Sequence, residues 1–360
     1  MKQKLLSIAL LLASITPCVA QTEVTTYQPG ITEDGITYFL PNTQIRVVVT
    51  ATKTHFEPGE FCNYAERFLR LKNVTLTAYD QWQIENIKLY SFGTANKGQA
   101  YSIKMKQKTS APLVSLSPDG RLLAINDKVT LTDDNLPTTS VTRNESKKQN
   151  AEDFKTEEIL SAGSTEKMAE LTANEIYDIR ENRGLLTKGQ ADFMPKDGEQ
   201  LKLMLANLDT QEEGLLQLFR GTSNKETHVL AFDITPTQDV EKQVLFNFSK
   251  YLGVVDNDDP AGTPVYFSVK DLKTLPAVNV NPNAKAKKES EDLRYIVPSR
   301  AEIKVFTDNK EFVSQSFPMA QFGRVEHLGG ELFNKKNTTS VQLNPTTGGI
   351  YKIKAENPDK

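Results

Sequence analysis

The sequence predicts an α+β chain with β in the majority: antiparallel sheets or sandwich-like layers around a central helical block. Three observations carry this. Apolar and polar residues alternate with period two at Ala301, Ile303 and Val305, with Glu302 and Lys304 between them, the mark of a half-buried strand. The same pattern recurs at Ile45, Val47, Val49 and Ala51, with Arg46, Val48, Thr50 and Thr52 on the other face. Between these stretches, residues 151–221 switch to helical spacing and helical composition. Strands, then helices, then strands again is the order of an α+β architecture.

The chain opens with a targeting signal. Lys2 and Lys4 form a basic start, residues 5–15 an apolar run, and Cys18, Val19 and Ala20 a stretch ahead of Gln21. Residues 1–20 therefore read as a signal peptide, too short to span a membrane. Lipid attachment at Cys18 would want a small residue before it, and Pro17 stands there, so cleavage after Ala20 is the expected route. No later stretch has the apolar length of a spanning helix. The formal charge of −3 becomes −5 when the two leader lysines go, which argues against a nucleic-acid binder. Cys62 is then the sole cysteine. No internal disulfide can form, so an exported chain must hold itself by burial.

Residues 21–127 read as a β-rich domain with one helix. Pro58 and Gly59 end the strand at 45–52, and Phe61, Ala65, Phe68 and Leu69 follow at helical spacing. Trp82 and Ile84 alternate in one phase, Ile87 and Leu89 in the other; the slip at Glu85 and Asn86 predicts a bulge. Tyr101, Ile103 and Met105 alternate with Ser102, Lys104 and Lys106. Ser117, Pro118, Asp119 and Gly120 make a turn between two apolar runs, so residues 113–125 form a hairpin. The hairpin is like a β-propeller blade motif, but no fixed-period repeat accompanies it.

Hydrophobic residues thin out over 128–150, which reads as a linker or mobile loop. In the helical block, Met168, Leu171, Ile176 and Ile179 supply one apolar face, and Gly184 is placed to end that helix. Capping patterns at Asp197 to Gln200 and at Thr210 to Glu213 predict two further helices, with Gly221 closing the block. Strands return at 229–232, 244–248 and 265–269, and a lysine-rich polar stretch, 279–289, precedes the last ones. Residues 222–360 are thus expected to form a C-terminal antiparallel β domain. It includes a hairpin at 341–353 around Asn344, Pro345, Gly348 and Gly349.

Three runs together resemble a known family: FEPGEFCNYAERFLRL at 56–71, the block at 159–205, and AQFGRVEHLGGELFNKK at 320–336. The chain resembles an uncharacterised family of exported Bacteroidetes proteins defined as a domain of unknown function, over nearly the whole mature length. The resemblance implies a Gram-negative envelope setting, periplasmic or at the cell surface. It carries over no catalytic or ligand-binding residues.

Chemistry-bearing motifs are sparse. His55, His228 and His327 stand alone, without HExxH or paired cysteines. The loop at 256–262 gathers Asp256, Asp258 and Asp259 near Gly262, a calcium candidate by its clustered carboxylates, though turn chemistry explains the same residues. There is no GxSxG, SxxK or phosphate-binding glycine motif. The expectation is a non-catalytic exported envelope protein that binds or scaffolds a protein or glycan partner, with no cofactor. One alternative is a glycan-active hydrolase with two carboxylates in a groove lined by aromatics such as Trp82 and Tyr266. The other is a calcium-dependent adhesin-like module. Arg180, Arg183, Lys188 and Lys196 of the helical block form a candidate docking surface.

Overall fold

A computed structural model describes residues 31–32, 35–103, 113–131, 136–144, 150–277, 293–329 and 338–356. The expected leader with Cys18, the strand positions Lys104, Met105 and Lys106, the stretch 279–289 and residues 330–336 of the third resemblance run lie outside them. About half of the described residues are strand and under a quarter helix. No helix among the described residues is long and apolar enough to cross a membrane.

The first sheet is built on β2 (Gly35–Glu57), which pairs antiparallel with β1 (Ile31–Thr32) and with β3 (Tyr79–Ile103). It also pairs with β7 (Thr222–Ile234), on whose far side lies β6 (Ser140–Asn144). The second sheet runs β12 (Lys310–Leu328), β11 (Leu293–Thr307), β10 (Thr263–Asp271), β8 (Val240–Ser249), β9 (Gly253–Val255). The third, smaller sheet runs β14 (Ile350–Glu356), β13 (Thr338–Leu343), β5 (Leu122–Ile125), β4 (Val114–Leu116). The first and third sheets each take strands from both sides of the helical block. The segment expected as a linker, 128–150, is corrected by β6: Ser140, Val141 and Thr142 pair with Val229, His228 and Thr227. Val141 is 60% exposed. Main-chain bonding to a strand edge, with little burial, forms β6, which a hydrophobicity reading cannot see.

Period-two alternation sends Ile45, Val47, Val49, Ile87 and Leu89 of the first sheet into one core. Val265, Phe267, Val269, Ala301, Ile303 and Val305 of the second sheet meet them there. The phase change expected near Glu85 is present: pairing steps from Ala51↔Ile84 to Thr50↔Asn86, leaving Glu85 as the extra residue. A second core joins all three sheets through Tyr38, Leu122, Ile125, Ile296, Val341 and Leu343. Tyr38 Oη accepts from the Arg294 N–H (2.9 Å) and donates to its C=O (3.2 Å), and burial pushes its pKa up to about 12.

The helices comprise a 3₁₀ turn (Cys62–Tyr64) running into α1 (Ala65–Leu69), a second 3₁₀ turn (Ala151–Phe154), α2 (Glu157–Leu160), α3 (Thr165–Lys188) and α4 (Gly198–Arg220). Gly184 does not end α3. The helix continues to Lys188, and Gly189 closes it in the left-handed conformation with φ 70°. The buried face of α3 is led by Ala169, Thr172, Ala173, Ile176 and Ile179, because small residues give the closest approach while Met168 and Leu171 flank it. The two helices expected between Asp197 and Gly221 are one. Asp197 caps it as expected, accepting from the Gln200 N–H at 2.7 Å. Thr210 is mid-helix, its hydroxyl donating to the Ala206 C=O, since nothing between Leu208 and Thr210 breaks the ladder.

The helical block is fastened to the end of β2. Phe61 N–H donates to the Leu218 C=O at 2.6 Å, and the Phe61 and Phe219 rings lie 5.5 Å apart. A side chain at Gly59 would sit 2.3 Å from that carbonyl, so the crossing requires glycine. Within β2, Thr43, fully buried, accepts from the Ala320 N–H and donates to the Thr346 C=O. Gln321 accepts from the Thr43 N–H (3.0 Å) and donates to the carbonyls of Thr43 (2.7 Å) and Pro236 (2.9 Å). Replacing Gln321 by alanine strands these main-chain groups, each worth about 1–3 kcal/mol when buried and unpaired. We expect the variant to lose at least ~2 kcal/mol of stability in urea unfolding, and a loss below about 0.5 kcal/mol would contradict the lock.

Candidate functional site

From Ile45 to Ala51 the inward face of β2 is apolar; beyond it the same face reads Lys53, His55, Glu57. The change marks where the second sheet stops covering the first. Trp82, opposite Lys53 on β3, stands at that limit. Its N–H donates to the Lys250 C=O at 2.7 Å, and its ring presses so closely on Gly253 that a Cβ there would come within 2.9 Å. Past Trp82 lies a polar ledge on sheet backbone.

Strand register sets the neighbours on that ledge. Lys53 lies between Trp82 and Glu226, His55 between Asp80 and Asn224, and Ala51 between Ile84 and His228. Arg143 of β6 stands opposite Glu226. His55 Nδ1 is 2.6 Å from Asp80 Oδ1, and its Nε2 is 3.4 Å from Glu57 Oε1. Lys53 Nζ reaches Asp80 Oδ2 at 3.2 Å, and Arg143 Nη2 reaches Glu226 Oε1 at 2.8 Å. His228 stacks obliquely on Trp82 with ring centroids 4.5 Å apart. Its Nε2 lies 3.6 Å from Glu226 Oε2, and this buried nitrogen has no hydrogen-bond partner among the described residues.

The ledge runs into an open cleft of about 390 Å³ where β2 meets the helical block. Glu57 and Thr222 pair across it, and Pro58, Glu60, Asn150 and Gln217 complete much of the lining. Lys155, with its side chain 3% exposed, forms ion pairs at 2.8 Å with Glu60 and Glu152.

Electrostatics follow from these contacts. Asp80, and then Glu57, hold the His55 imidazolium pKa above its ordinary value. The His55 ring and then Lys53 hold the Asp80 carboxyl below its own, and the Arg143 guanidinium does the same to Glu226. Asp80 and Glu226 are thus kept ionised, the reverse of what a general acid requires.

The residues singled out in the sequence lie apart. Tyr266 alternates with the core residues Val265 and Phe267, so it faces away from that core, against Lys242 and Phe306. Trp82 is on the inward side of the other sheet, so the two aromatics line no common groove. His327 lies beside Arg294 on the second sheet, away from His55 and His228. In the acidic loop Asp259 Oδ1 accepts from the Ala261 N–H at 2.8 Å, while Asp256 and Asp258 are exposed. Asn247 donates to the carbonyls of Asp256 and Asn257, so the loop organises a turn. Among the described residues no group of three or more His, Cys, Asp or Glu side chains could hold a metal ion. Cys62 is a free, half-buried thiol. Arg180 and Arg183, their side chains half-buried, are engaged by Glu212 at 2.6 Å each, and Arg183 also binds Asp209. Lys188 and Lys196 alone of the four docking candidates are exposed. The ledge itself was hidden from sequence reading because the β2–β3 connection contains a helix, which leaves register open. The continuation of alternation into Lys53, His55 and Glu57 was the signal available.

The model for the family Domain of unknown function (DUF4831) matches residues 34–351, and the chain belongs to that family. No curated protein and no solved structure matches it.

The His55–Asp80 pair sets a pH dependence. A raised histidine pKa gives stabilisation that is complete below the unfolded value of about 6.5 and is lost as pH rises through the folded value. A depressed aspartate pKa gives stabilisation above about 3.9 that is lost as pH falls through its own folded value. By NMR titration His55 should titrate above the ordinary histidine value, and Asp80→Asn should lower its midpoint. An unchanged midpoint in the variant would refute the pairing.

Proposed function

From membership of this family and the charge pairing on the ledge, we propose that the protein is an exported Gram-negative envelope component, of Bacteroidetes type. It binds or scaffolds a protein or glycan partner and catalyses nothing. One observation carries the reading: the ledge acids are tied to cations, Asp80 to Lys53 and His55, Glu226 to Arg143, Glu60 to Lys155. A glycan hydrolase would need one carboxyl held protonated against another that is ionised. A surface of exposed, alternating charges beside an open cleft suits recognition, because complementary charge governs encounter and partner choice. The leader-like residues 1–20 support export.

Two measurements on the purified protein test this. Tagged protein drawn from native envelope extract should bring down a defined partner, and incubation with envelope glycan fragments should release no new reducing ends. Recovery of the bait alone, or reducing ends whose release falls in Asp80→Asn, would contradict the reading.

A further inference from the structure

One titratable group of the ledge stands outside its charge pairing. The His228 side chain is 19% exposed, and its Nε2 is buried with no hydrogen-bond partner among the described residues. Buried polar atoms are ordinarily paired, so an orphan asks for a reason. The contact that Nε2 nearly makes is with Glu226 Oε2, 3.6 Å away. That is too long for a hydrogen bond, yet a small rotation of either side chain would close it. Glu226 is already oriented for this. Its other oxygen, Oε1, accepts from Arg143 Nε at 2.9 Å and lies 2.8 Å from Arg143 Nη2. Oε2 can therefore take His228 while Oε1 keeps Arg143.

We propose that His228 is a proton-operated clasp on the edge strand β6. With the ring neutral, Nε2 stays unpaired. When the ring takes up a proton from solvent, its Nε2–H donates to Glu226 Oε2. One carboxylate then joins Arg143 of β6 to the imidazolium stacked on Trp82, and β6 is held more firmly in acid than at neutral pH. β6 is the strand that responds because little else holds it. It spans five residues, and Val141, Thr142 and Arg143 are all exposed. Main-chain pairing with β7 and the Arg143–Glu226 contact are its attachments. The clasp does not depend on what the ledge binds.

The charged groups around the ring decide the direction. β2 contributes Lys53, β3 contributes Asp80, β6 contributes Arg143, and the turn between β8 and β9 contributes Lys250, whose side chain is exposed. Lys53 and Arg143 oppose a further positive charge. In register, however, both stand opposite Glu226, whereas the residues opposite His228 are Ala51 and Val141. Asp80 is committed to His55 and Lys53. Glu226 is the acid within reach of Nε2, and Arg143 holds its carboxyl below the ordinary value. It therefore stays ionised over the range in which a histidine gains its charge, and an ionised acceptor gives the stronger bond.

Trp82 is the sole tryptophan of the chain, and its ring centroid lies 4.5 Å from that of His228. An imidazolium in contact with an excited indole quenches its emission, so fluorescence reads the clasp directly. Emission should fall as the pH is lowered from about 8 to about 5, the range over which histidines gain charge. The fall should disappear in His228→Gln and persist in His55→Gln, which removes the other histidine of the ledge. Over the same range the amides of Val141, Thr142 and Arg143 should gain at least about threefold hydrogen-exchange protection, corrected for the intrinsic pH dependence of exchange. That gain should vanish in His228→Gln. Emission flat with pH, or a fall that survives His228→Gln, would overturn the proposal. So would β6 protection that is unchanged or lower in acid. Should His228→Gln fail to fold, the nitrogen NMR shifts of the wild-type ring decide. Both ring nitrogens must become N–H donors over the range in which emission falls, and a ring still neutral at about pH 5 refutes the clasp.

Discussion

The structure depends on one meeting of faces: the alternating apolar row of β2 against the matching rows of β10 and β11. Ile45, Val47, Val49, Ala301, Ile303 and Val305 are all 0% exposed. Burying each of the valine and isoleucine side chains contributes about 1.5–3 kcal/mol relative to exposure. With Cys62 alone and no metal cluster among the described residues, this burial has no covalent substitute. Everything else is arranged by where that contact begins and ends.

Its limits create the surface features. At Trp82 the second sheet stops, and the face of β2 that was core becomes the ledge of Lys53, His55 and Glu57. The helical block seals the far end of β2 through Phe61 and Phe219. β3 extends to the rim of the first sheet, with Ile87 and Leu89 anchored in the core. The ledge of paired charges has one cause: one sheet reaches further than the sheet packed against it.

Much of this was legible in the alternation. The strands at 45–52, 229–232, 265–269 and 301–305, the turn ending in Gly120 and the bulge at Glu85 were each marked by period, by proline and glycine, or by a phase slip. Where burial is weak the sequence was silent. β6 forms by hydrogen bonding at an edge with Val141 exposed, and α4 runs through Thr210 because a capping pattern does not act inside an unbroken helix. The pairing of His55 with Asp80, and the capture of Arg180 and Arg183 by Glu212, depend on registers and crossings that no local pattern encodes.

Native-state hydrogen exchange tests the dependence on the two-sheet core most directly. Local openings that leave this core intact should free the α3–α4 pair but never β2. The amides of Val47, Val49, Ile303 and Val305 should exchange only through global unfolding and share the highest protection in the molecule. Those near the Gly189 end of the helical hairpin should exchange at least tenfold faster. Helical amides as protected as β2, or β2 amides that open before them, would contradict the account.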